Sequence, residues 1–217
     1  MTLTPTLVLR SLAVAALMVA WAVAAHFGSA GHGSPDFNAA LGVAPIVAAI
    51  AMLLWRVRHP LWVAGSGVLL AAALAWLWPS LRQNVALLFF IQHFGINLAF
   101  ASLFGKTLLG PGDALITRLA RIVHNGVLSE RNRRYTRQVT LAWALFFLAS
   151  ATLSALLHAL APAEVWSVFA NLLTAPLVGL MFAAEHLVRM RVLPPEERPS
   201  IAEVVRVWRL RAAAKES

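Results

Sequence analysis

Cysteine is missing from this chain. That one absence excludes a disulfide framework, a thiolate metal site, an iron–sulfur cluster and a cysteine nucleophile. Charge is scarce as well: 12% of the 217 residues are charged, with 9 acidic against 18 basic, where a soluble domain carries about 25%. No Gly-rich phosphate loop precedes a helix, no His-Glu-x-x-His spacing occurs, and there is no Gly-x-Ser-x-Gly elbow. Strand patterning is missing too, because Ala and Leu dominate and no two-residue alternation appears.

What remains is apolar. Hydrophobic residues make up 60% of the chain and the mean hydropathy is +0.74, more than a soluble domain of this size can bury. They fall into six blocks, 7–27, 39–55, 61–78, 85–104, 139–160 and 165–187, each close to the roughly 20 residues a helix needs to cross a bilayer. Arg56, Arg58 and His59-Pro60 separate the second block from the third, Pro79-Ser80 stops the third, and Ala161-Pro162 breaks the chain between the last two. The fold class expected is all-α: a polytopic bundle of six transmembrane helices over residues 1–190, with a basic loop at 105–138 and a basic amphipathic tail at 191–217.

Basic segments resist translocation, so their distribution orients the bundle. With both termini in the cytoplasm, all but one of the 18 basic residues fall on the inner side, and Arg82 alone lies outside. Trp55 and Trp62 are then expected at the inner interface, and Trp76, Trp78 and Trp166 at the outer one. The formal charge of +9 follows from this bias and calls for no nucleic-acid partner. The first block has a second reading. Arg10, an Ala/Leu/Val run and Ala22-Val23-Ala24 also resemble a secretory signal, whose removal would leave five spans; the length of the block and Trp21 favour retention.

Two basic segments have the pattern of helices lying at the membrane surface. Over 113–124, Leu115, Ile116, Leu119, Ile122 and Val123 share a face that Arg118 and Arg121 avoid. After Pro199, Ser200 and Glu203 form a capping box, and Ile201, Val204, Val205 and Trp208 follow as a stripe. Packing on the protein's own inner end is the plain alternative for both.

Polar side chains inside hydrocarbon cost a few kcal/mol each, so they are where a site is sought. Gln92, His93 and Asn97 lie mid-span, with His93 and Asn97 one turn apart; Asn171 and Glu185 lie on the sixth block. These five form the candidate intramembrane pocket, with interhelical hydrogen bonding as the bland reading. Glu185, four residues before Arg189, is well placed for a helical ion pair. Arg118, Arg121, Arg131, Arg133, Arg134 and Arg137 form a candidate inner surface for anions or protein partners. Among the histidines, His26 and His158 could approach each other near the outer surface, but one shallow pair does not make a haem site. No cofactor or metal is expected, and no residue is identified as catalytic.

Four stretches carry a likeness: NLAFASLFGKTL at 97–108, LITRLAR at 115–121, RYTRQVTLAW at 134–143 and EHLVR at 185–189. They resemble a family of small bacterial inner-membrane proteins encoded with the enzymes that make aryl polyene pigments of the xanthomonadin type. The likeness covers about half the chain, and the Tyr135-Thr136-Arg137 block with Val139-Thr140 is its most specific part. Where that family is expected to have Tyr before Leu-Val-Arg, this chain has His186. The resemblance implies a multi-pass protein of the bacterial inner membrane, an accessory of aryl polyene lipid assembly or export. Its partners would be membrane lipids and an acyl carrier protein or pathway enzymes docked at the inner leaflet. The alternative is a membrane-embedded lipid-modifying enzyme or lipid translocator that uses the intramembrane polar residues.

Overall fold

A computed structural model describes residues 5–55, 59–124 and 126–198. The tail pattern at Ser200 to Trp208, and Arg56 and Arg58, lie outside the described residues. Among the described residues eight α-helices follow one another: α1 (Pro5–Ser29), α2 (Pro35–Leu54), α3 (Pro60–Gln83), α4 (Val85–Leu109), α5 (Leu115–Val123), α6 (Glu130–Leu160), α7 (Ala163–Ser167) and α8 (Thr174–Val192). A π-helical stretch, Val168–Leu173, lies between α7 and α8. Six spans result, as the apolar blocks predict, with α7, the π stretch and α8 forming the last.

The ends of these helices follow from local chemistry. Proline occupies the first position of α1, α2 and α3, where its missing N–H would have had no intrahelical partner. Ser34 caps α2 by accepting from the Phe37 amide, and Ser129 caps α6 by accepting from Asn132 N at 3.0 Å. Two boundaries differ from the sequence expectation. Pro79 does not stop the third span: α3 runs through it to Gln83 and ends at Asn84, because a proline in the last exposed turns loses only one backbone bond. The fifth span, α6, begins at Glu130, well before the apolar block, since Arg and Gln continue a helix readily.

The chain divides into two compact units: residues 1–94 with 153–175, and residues 95–152 with 176–217. The core of the first is Ala25, Phe89, Trp166 and Ala170, with Leu41, Val85, Phe90 and Leu157 against it. Trp166 is a correction to the outer-interface expectation. It is 1% exposed, its Nε1–H donates to Ser154 Oγ at 3.0 Å, and its ring meets Phe90, His93 and His158 edge-on. An indole that finds an acceptor inside the bundle has no need of the interface. Trp78 donates instead to Asp36 at 2.8 Å, and Arg82, the one basic residue expected outside, pairs with the same carboxylate at 3.5 Å. The connections before α2 and after α3 therefore meet at one end of this unit.

The second unit is built on Tyr135, Val139, Trp143 and Leu193, with Phe104, Phe146, Phe147 and Met181 around them. Among the described residues many polar side chains lie inside while most large aliphatic ones lie outside. Ser29, Asn38, Asn97, Thr117, Thr140, Ser154 and Ser167 are buried, whereas Leu193 is the single buried leucine. Helix α3 buries nothing, and Leu61 and Trp76 on it are 75% and 81% exposed. Small and polar residues between helices, with leucine outward, is the arrangement lipid imposes. The chain is a multi-pass, all-helical membrane protein.

Close approach at Gly28 supports α1 against α2. A Cβ there would lie 2.8 Å from Asn38 Oδ1, and Asn38 is itself held by His32 O at 2.7 Å. Gly28→Val is expected to cost about 1–3 kcal/mol through overpacking. Gly65→Val, on α3 with open space around it, should change stability by less than about 0.5 kcal/mol. Thermal unfolding of the two variants in detergent checks the contrast.

Candidate functional site

Glu185 and Arg189 stand one turn apart on α8, and they pair as the spacing requires. Arg189 Nε donates to Oε1 at 3.0 Å and Nη2 to Oε2 at 2.6 Å, a two-pronged contact with the carboxylate side chain only 9% exposed. Tyr135, the only tyrosine in the chain, reaches in from α6 and donates to Glu185 Oε1 at 2.6 Å and to its backbone oxygen at 3.1 Å. Both carboxylate oxygens are thereby occupied and α8 is fastened to α6. Sequence reasoning found the ion pair but not the phenol, whose partner lies fifty residues away.

Tyr135 and Glu185 of this group form a wall common to two hollows. One, of about 220 Å³, lies beneath α5 and is lined by Ile116, Leu119 and Val123 of that helix and by Asn132, Arg189 and Glu197. The other, of about 210 Å³, is an apolar groove of α6 and α8 residues, Val139, Ala142, Met181, Ala184 and Val188. Tyr135 and Glu185 line both. Helix α5 is held by hydroxyls: Thr140 Oγ1 accepts from Ile116 N at 3.2 Å, and Thr117 and Thr136 share a bond of 2.9 Å. Its apolar face packs inward through Ile116, while Leu119 stays 38% exposed.

The other polar candidates have separate places. Within the first unit, His93 sits between two hydroxyls, Ser154 Oγ 3.0 Å from Nδ1 and Thr174 Oγ1 2.9 Å from Nε2. Thr174 spends its proton on Phe169 O, so it accepts from Nε2–H, and Nδ1 accepts from Ser154. Phe169 O also receives the Thr174 amide, the wide bond of the π stretch, which is how a hydroxyl reaches His93. Asn171 belongs to another group: its Nδ2 donates to Ser29 Oγ at 3.0 Å and Ser167 Oγ at 3.3 Å, and Ser167 lies 2.7 Å from His26 Nδ1. Gln92 bonds its own helix at Leu88 O. Asn97 is buried in the second unit, as is the Glu185 site. His158 stacks on Phe90 at 4.1 Å. No set of three or more potential metal ligands occurs among the described residues.

The arginines of the candidate partner surface are largely engaged. Asp113 binds Arg121 at 2.6 Å and Arg133 at 3.7 Å, and Glu130 binds Arg134 at 3.3 Å. Arg118 and Arg137 donate to the carbonyls of Asp113 and Leu108. Arg131 is exposed and has no ion-pair partner among the described residues.

The chain matches no family model, no curated protein and no solved structure.

Proposed function

We propose that the chain is an accessory of aryl polyene lipid assembly or export in the bacterial inner membrane, engaging its client at the face formed by α5, α6 and α8. The observation that favours a docking role for this face is the engagement of Glu185. Oε1 accepts from both Arg189 and Tyr135 and Oε2 accepts from Arg189, so the carboxylate serves as a fastener between α8 and α6. The pathway part rests on the likeness of residues 97–108, 115–121, 134–143 and 185–189. Those stretches supply Tyr135, Glu185 and Arg189, and the α5 residues that cover the cavity. Docking of an acyl carrier protein fits the same face, where Arg131 and the 77% exposed Arg134 project.

Deleting the gene and extracting the lipids tests the reading: pigment is expected to fall, with a pathway intermediate accumulating. Complementation with His93→Leu should restore pigment wherever the protein still inserts. The enzyme or translocator reading requires instead that this variant be inactive at normal protein levels. Unchanged pigment in the deletion strain would reject the assignment.

A further inference from the structure

Two hollows adjoin along the seam of α6 and α8, and they differ in polarity. One is the apolar groove of about 210 Å³ between Val139 and Ala142 on α6 and Met181, Ala184 and Val188 on α8. The other, of about 400 Å³, is lined by Glu130, Arg131, Arg134 and Val192. Tyr135 and Gln138 line both, so the second hollow is a basic mouth to the groove. The helical repeat accounts for the alignment. Arg131, Arg134, Gln138 and Ala142 recur every three or four residues on α6, as Met181, Ala184, Val188 and Val192 do on α8, which gives each helix one stripe.

Polarity changes along this seam as it does along a phospholipid. Arg131 and Arg134 stand ahead of the apolar block of α6, with Arg134 about 8 Å of helix before Val139. That places them at the level of the headgroups and the groove beside the acyl chains. The mouth holds two arginines against one glutamate. Glu130 pairs with Arg134 at 3.3 Å, while Arg131 is exposed and has no ion-pair partner among the described residues. Farther in, Glu185 is the one charged side chain of the groove lining, and Arg189 neutralises it. The charge on offer to a ligand is therefore positive and confined to the mouth. Ala142 and Ala184 are small and exposed, one on each stripe, and leave room between the helices. A soluble acidic protein on the two arginines would leave that groove unfilled, whereas a lipid fills both parts.

We infer that this seam binds an anionic glycerophospholipid, with the phosphodiester at Arg131 and Arg134 and one acyl chain along Val139, Ala142, Met181, Ala184 and Val188. The inference goes beyond the pathway reading and does not rest on it. It requires that α6 and α8 cross a bilayer, and it stands whether or not pigment depends on the gene.

The test is native mass spectrometry of the full chain in dodecyl maltoside, with dioleoyl phosphatidylglycerol and dioleoyl phosphatidylcholine offered at equal concentration. Their chains are identical, so the heads alone separate the two adducts. Phosphatidylglycerol is expected to bind about fivefold more tightly, the effect of about one basic residue beside an anionic head. Arg131→Gln combined with Arg134→Gln should abolish that preference. Glu130→Gln should raise it about fivefold further, a gain that a misfolded variant cannot produce. Ala184→Phe, a larger side chain at an exposed position, should weaken both lipids severalfold by occupying the groove. Glycerol phosphate, a head without chains, should not displace phosphatidylglycerol at equal concentration. Equal binding of the two lipids to the native chain, the result if the arginines serve only a soluble acidic carrier, would overturn the inference. So would a preference that survives the double arginine variant, adducts indifferent to Ala184→Phe, or displacement by glycerol phosphate.

Discussion

Trp166→Ala is expected to lower the stability of the protein by about 3–5 kcal/mol, the usual cost of truncating a fully buried tryptophan. The ring is enclosed by Phe90, His93 and His158, and the loss extends beyond the cavity it leaves. Ser154 Oγ accepts from the indole and also contacts His93 Nδ1, so removing the indole takes a donor from a buried hydroxyl. Trp166→Phe keeps much of the volume and loses the N–H, and should fall well short of the alanine variant. Thermal unfolding in detergent, followed by near-ultraviolet dichroism, separates the two. Had Trp166 been an interfacial anchor, both substitutions would be mild.

Glu185→Ala should be the second large effect. It leaves Arg189 with no counter-charge and Tyr135 without its carboxylate acceptor. Breaking a buried pair costs about 3–5 kcal/mol, and because Arg189 is 34% exposed solvent reduces this to roughly 2–3 kcal/mol. Arg189→Met added to Glu185→Met should recover much of the loss, since the uncompensated charge is then gone. A double-mutant cycle on unfolding free energies measures the coupling. Additive losses would mean that the pair contributes little.

The architecture was legible because hydropathy and charge act over whole segments. Six blocks gave six spans, and the break read at His59-Pro60 falls where α3 starts. What could not be read depends on contacts between distant residues. Trp166 has the composition of an interface residue, and only Ser154 on a different helix makes it a core one. Pro79 looks like a stop because the sequence does not show that α3 continues through it to Gln83.

The site was half legible for the same reason. Glu185 and Arg189 lie on one helix, so their spacing announces the pair. Tyr135 and Asn132 come from another helix and sit among arginines, which makes the segment look like a solvated face. The serines and threonines that hold the bundle gave no signal, since a hydroxyl can bond its own helix carbonyl and so cross apolar segments unremarked. Ser29 and Ser167, which receive Asn171, are of this kind. A tyrosine that is the only one in the chain, flanked by basic residues and one heptad before Ala142, was the available clue.

The central claim is a membrane-spanning bundle with the α5 face in the cytosol, and the lack of native cysteine makes it directly measurable. Single cysteines replace His32, before α2, and Val127, before α6, both exposed, and intact cells are treated with a membrane-impermeant maleimide. His32→Cys should label in intact cells and Val127→Cys only after the membrane is opened. Labelling of Val127→Cys from outside would contradict the account.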